Sequence, residues 1–170
     1  MKKKIIIISA IAVAVIGVIV GTIALLVSSF LVDTENPDVS TITGTAVITL
    51  GDDEGEKGDT VKIPVDVSEN GGFMASLLNF SYDSSALKYI GYEKGDVLTD
   101  YEFSEGDGSL KFLGLENEDV TDTGTLFTLK FEILTDSKQE TEIKLDVEDI
   151  INYDEQSLTT TVENGKVTVK

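Results

Sequence analysis

The chain has 170 residues, enough for one domain and a short attachment segment. Cysteine, histidine, tryptophan and arginine are all absent, which removes thiolate nucleophiles, imidazole bases, disulfides and His/Cys zinc sites. Of 13 lysines against 31 carboxylates, three stand at positions 2–4, so the part beyond Val32 has ten lysines and a charge of −21, which disfavours nucleic acid and anionic lipid surfaces as partners.

The first predicted element is a membrane segment. Lys2, Lys3 and Lys4 precede it, and no charged residue follows from Ile5 to Val32. That span exceeds the roughly 7–15 apolar residues of a secretory signal and covers the ~20 of a spanning helix. With Asp33, Glu35 and Asp38 beyond it, the positive-inside bias predicts a cytoplasmic N-terminus and an exported remainder. Residues 1–32 are thus read as an uncleaved signal anchor. Cleavage after a small-residue site such as Val27-Ser28-Ser29, releasing a secreted protein, is the alternative. Residues 33–44 are polar, carry Pro37 and show no periodicity, and read as a spacer.

A domain is predicted over residues 45–170, built from short segments of period-2 alternation punctuated by Gly, Asp, Asn and Ser. Thr60 to Val67 places Val61, Ile63, Val65 and Val67 on one face, and Thr125 to Ile133 does the same with Phe127, Leu129, Phe131 and Ile133. Ile143, Leu145 and Val147 repeat the device, as do Val167 and Val169 in a last strand. Further strands are predicted near Ala46–Leu50, Phe73–Tyr82, Leu87–Tyr92, Asp100–Ser104, Leu110–Glu116 and Leu158–Val162. Turns are predicted at Glu69-Asn70-Gly71-Gly72 and Gly106-Asp107-Gly108, and Asn164-Gly165-Lys166 reads as a hairpin signal. No 3.6-residue periodicity appears after the membrane segment, so a two-sheet sandwich or jelly roll follows, and a parallel α/β sheet does not.

Chemistry is sparse. Asp52-Asp53-Glu54 and Glu116, Glu118 and Asp119 offer paired carboxylates, but the chain lacks the tryptophan platforms and positioned acid of a glycoside hydrolase. Neither Gly51–Asp59 nor Glu116–Asp122 has EF-hand spacing, and solvated acidic loops account for both. Asn79-Phe80-Ser81 satisfies a glycosylation sequon inside a predicted strand and is assigned no function. No catalytic residue, metal ligand or cofactor is expected.

A run of motifs resembles the cohesin family. Lys57-Gly58-Asp59-Thr60-Val61-Lys62-Ile63-Pro64-Val65 is similar to its opening turn and strand. Leu78-Asn79-Phe80-Ser81-Tyr82-Asp83-Ser84-Ser85-Ala86-Leu87 is similar to its strand running into Tyr-Asp and a small-residue turn. Gly91-Tyr92-Glu93-Lys94-Gly95-Asp96-Val97-Leu98, Leu110–Glu116 and Gly124-Thr125-Leu126-Phe127-Thr128-Leu129-Lys130-Phe131 continue the resemblance in order, over about Ala46 to Lys170. It implies a nine-stranded jelly-roll β-sandwich behind the N-terminal transmembrane helix, all-β in class. It also implies an adhesion and scaffolding role: one sheet face captures a dockerin, a small helical module that carries the calcium itself. The dockerin would belong to another protein, such as a secreted glycoside hydrolase or a scaffold of a cellulosome-like assembly.

The pleat predicts what that face offers. With Leu78, Phe80 and Tyr82 inward, Ala75, Leu77 and Asn79 point out. With Leu110 and Phe112 inward, Lys111, Leu113 and Leu115 point out, with Glu116 at the polar end. These positions match the family's partner-contacting strands, although Ala75 and Leu77 stand where many cohesins carry asparagine and aspartate. An apolar patch rimmed by carboxylates suits a helix with apolar anchors and basic edges. The last strand ends at Lys170, so one binding site close to the membrane is expected. Two rival readings remain. A carbohydrate-binding module would need a planar row of aromatics among Tyr89, Tyr92, Tyr101, Phe103 and Tyr153. A structural adhesin would self-associate through an edge strand.

Overall fold

A computed structural model describes residues 44–170, and the predicted membrane helix and residues 33–43 of the spacer lie outside the described residues. Eleven strands follow in order: β1 (Thr45–Leu50), β2 (Asp53–Gly55), β3 (Thr60–Asn70), β4 (Phe73–Ser81), β5 (Leu87–Lys94), β6 (Tyr101–Gly106), β7 (Ser109–Val120), β8 (Gly124–Ile133), β9 (Glu140–Ile151), β10 (Thr159–Glu163) and β11 (Gly165–Val169). They form a five-stranded sheet of order β10-β1-β3-β8-β5 and a six-stranded sheet of order β2-β11-β9-β4-β7-β6. Among the described residues no helix is long and apolar enough to cross a membrane.

The alternation read in the sequence produces the core. Val61, Ile63, Val65 and Val67 on β3 and Phe127, Leu129, Phe131 and Ile133 on β8 are all buried. They meet Leu78, Phe80, Leu110, Phe112, Ile143 and Leu145 of the other sheet in one apolar cluster. Pro64 is tolerated inside β3 because β1 pairs only as far as Leu50 with Val65; beyond that, the Pro64 carbonyl accepts from Gly51 N at 2.9 Å and no ladder donor is required of it.

Two expectations are corrected. The nine strands become eleven, and the strand with no counterpart in the sequence reading is β2, three residues that pair in parallel with β11 at Asp53–Val167, Glu54–Thr168 and Gly55–Val169. So short a segment has no alternation to display; its partner more than a hundred residues away creates it. The Asn164-Gly165 signal makes no hairpin either, because β10 joins the five-stranded sheet beside β1 while β11 joins the six-stranded sheet between β2 and β9. Asn164 holds this crossing point, accepting from Leu145 N at 3.0 Å and donating to Glu142 Oε1 at 3.0 Å. Gly165 is required there because a Cβ would lie 2.4 Å from the Gly51 carbonyl oxygen.

Candidate protein-binding face

β4 and β7 lie side by side in the middle of the six-stranded sheet, and their antiparallel register opposes Ala75 to Leu115, Leu77 to Leu113 and Asn79 to Lys111. Directly opposed residues share a face. Since Leu78, Phe80, Leu110 and Phe112 are buried in the core, all six of these residues point away from it. The rows continue onto the neighbouring strands. β9 sets Ile151 beside Ala75, Asp149 beside Leu77 and Asp146 beside Asn79. β6 sets Glu102 beside Leu113 and Ser104 beside Lys111. The central row therefore reads Asp149, Leu77, Leu113, Glu102. At about 4.8 Å per strand its two carboxylate-bearing residues stand roughly 14 Å apart with two leucines between them.

The leucines are less exposed than the sequence implied. Leu77, Leu113 and Leu115 are each partly buried, and the large hydrophobic residues that are fully exposed in the described chain are Ile90 and Tyr153. Neighbouring outward side chains shelter one another across the pleat, leaving a low apolar strip in place of protruding anchors.

Around the strip the polar groups are organised. Glu148, absent from the sequence-derived set, accepts from Asn79 Nδ2 at 3.1 Å and from Lys111 Nζ at 3.2 Å. These hydrogen bonds, that from Asn79 foremost, hold its carboxyl below the ordinary glutamate value. Glu116 does not lie in the outward rows. It follows Leu115 with the opposite parity and turns to the loop before β6, accepting from Thr99 N at 2.6 Å, Thr99 Oγ1 at 2.7 Å and Asp100 N at 3.1 Å. Desolvation pushes its carboxyl up, but the three hydrogen bonds together prevail and the net shift is downward. Its role is to clasp a loop, a task that strand alternation cannot reveal. Beyond β9 the same sheet carries ion pairs, Lys166 with Glu140 at 3.0 Å and Lys144 with Glu142 at 3.4 Å, with all four side chains largely in solvent.

The aromatic residues stand elsewhere. Tyr92 and Phe103 stack at 4.6 Å, Phe103 and Phe127 meet edge to face at 4.9 Å, and Phe112 and Phe127 lie 4.6 Å apart. Tyr89 packs on Phe131 at 5.8 Å. These rings close the gap between edge strands β5 and β6, one from each sheet, and contribute to the core. Tyr89, Tyr92, Tyr101 and Phe103 thus form no exposed planar row for a sugar, and Tyr153 sits apart on the loop after β9. Among the described residues no group of three or more carboxylates is arranged to hold a metal ion.

Comparison with known proteins agrees with this architecture. The family model described as the cohesin domain matches residues 46–169. No curated protein matches the chain. Similar solved structures include the complex described as a novel type I cohesin–dockerin complex of Clostridium thermocellum, Coh-OlpC with Doc435, at 20% identity and TM-score 0.70, covering 78% of this chain and 98% of that one. A second such complex from the same organism, Coh-OlpA with Doc918, is 23% identical at TM-score 0.68 and covers 74% and 99%. A non-cellulosomal cohesin from the hyperthermophilic archaeon Archaeoglobus fulgidus is 19% identical at TM-score 0.68 and covers 74% and 91%. At these identities the structures establish the fold, and the match over residues 46–169 establishes the lineage: this chain belongs to the cohesin domain family.

Proposed function

We propose that this protein is a membrane-anchored, extracellular module that captures dockerin-bearing proteins through the outer face of its six-stranded sheet. A cohesin domain is a binding module and not an enzyme. The observation that carries the choice of face is the central row, in which Leu77 and Leu113 oppose each other and Asp149 and Glu102 stand outside them. A helix with its side chains is about 10–12 Å across, so it fits over the leucines with a carboxylate at either edge. Its apolar stripe would supply burial and its lysines or arginines would supply orientation and on-rate. Ala75, Asn79, Lys111 and Leu115 extend the contact along β4 and β7. Calcium belongs to the dockerin in this reading, and the cohesin face needs no cofactor.

Membrane attachment is supported by the uncharged span from Ile5 to Val32 behind three lysines, and an outward-facing domain by the acidic residues that follow it.

The test is a pull-down with the full chain in detergent, presented with purified dockerin modules encoded by the same genome, with and without EDTA. Capture in calcium that EDTA reverses supports the reading. Absence of capture together with retention on a polysaccharide overturns it in favour of glycan binding. Protease accessibility of the domain on intact cells tests the location.

A further inference from the structure

A residue in a β-bulge escapes any argument from alternation, and Glu148 is such a residue. Leu77 pairs with Asp149 and Leu78 with Val147, so Glu148 has no residue opposite it on β4. The extra residue lets its carboxylate reach across β4 to a side chain on β7. One oxygen accepts from Asn79 Nδ2 on the near strand and from Lys111 Nζ on the far one, joining three adjacent strands of the binding face. Lys111 is the single cationic residue on β4, β6 and β7.

We infer that Glu148 determines partner specificity on this face by cancelling the charge of Lys111, so that a helix with basic edges meets no opposing cation beside the leucines. This rests on the dockerin-capture reading. In the free chain both side chains are about half exposed, at 51% and 50%, and such pairs contribute little to folding. Under a bound partner water leaves, the effective dielectric falls, and the same charges come to depend on each other. Lys111 stripped of Glu148 would then be buried unpaired against lysine or arginine of the partner, a like-charge contact of the kind that rejects wrong partners. Glu148 acts on recognition and leaves the fold alone.

The test compares affinities of the full chain in detergent for purified, calcium-loaded dockerin modules encoded by the same genome. Four forms are measured: wild type, Glu148→Gln, Lys111→Met and the double variant. The expected result is a loss of at least about tenfold for Glu148→Gln with an unchanged melting temperature. Restoration in the double variant to within about threefold of wild type completes it. Wild-type affinity in Glu148→Gln overturns the inference, as does a double variant as weak as Glu148→Gln, which would mean that Glu148 touches the partner itself. A wild-type chain that captures no dockerin overturns the proposed function, and this inference falls with it.

Discussion

Leu77 and Leu113 oppose each other across β4 and β7 on the solvent side of the sheet, each partly covered by the other's strand and neither in contact with the core beneath. Their burial is therefore completed only by something from outside. Replacing either with aspartate is expected to abolish dockerin capture while costing the isolated fold about 1 kcal/mol or less, the scale of a cross-strand pair. Surface plasmon resonance beside a thermal melt checks both halves. Full capture by Leu77→Asp and Leu113→Asp alike would mean that the partner binds another surface.

The carboxylates at the two ends of the same row act over distance. Changing Glu102 and Asp149 together to their amides is expected to slow association and flatten its salt dependence, with a smaller change in dissociation. Stopped-flow association between ~0.05 and ~0.5 M salt, a range over which the Debye length more than halves, reads this directly.

Inside the same sheet Ser76 is buried among apolar side chains, and its hydroxyl has no hydrogen-bond partner among the described residues. A buried hydroxyl without a partner costs roughly 1–3 kcal/mol of desolvation, so Ser76→Ala is expected to stabilise the domain by about 1 kcal/mol. The facing Gly114→Ala should do the opposite, since a Cβ there would lie 2.7 Å from Ser76 Oγ and 3.1 Å from the Phe112 ring. Chemical denaturation of the two variants should move their midpoints in opposite directions.

Acid should loosen the loop before β6. The folded carboxyl of Glu116 lies below its ordinary 4.5, so the native state binds this proton less readily than the unfolded chain. Its contribution is complete above the ordinary value and is lost as pH falls through 4.5 toward the depressed folded value. Glu116→Gln is expected to be less stable than wild type at pH 7 and to approach it near pH 3. Parallel stability curves for the two proteins between those pH values would contradict the clasp.

How far the sequence could be read depended on whether a residue's role was local. Alternation revealed β3 and β8 because burial on one face imposes a period of two, and it revealed Ala75, Leu77, Asn79, Lys111, Leu113 and Leu115 as outward for the same reason. The pairing that sets these six side by side was not legible, since register arises between strands about 35 residues apart in the chain. Glu148 was hidden by its bulge. Glu116 was misjudged because its carboxylate answers to Thr99 and Asp100, backbone and hydroxyl donors that carry no pattern. Asn164-Gly165 has the composition of a tight turn, and only the assembled sheets show that the chain there passes from one to the other.

On β4 and β7 the odd-numbered residues from Ala75 to Asn79 and from Lys111 to Leu115 face outward, and the even-numbered residues between them face the core. Parity divides two vocabularies written on the same strands, one that holds the domain together and one that addresses a partner. A change in the second leaves the first almost untouched, so recognition can drift from one lineage to the next while the scaffold stays in place. Relatives with a TM-score of 0.70 and only 20% identity have the separation that such a division allows. The same parity offers an engineer a ready rule: outward odd positions can be exchanged between cohesins to transfer partner choice, with the even positions left as they are.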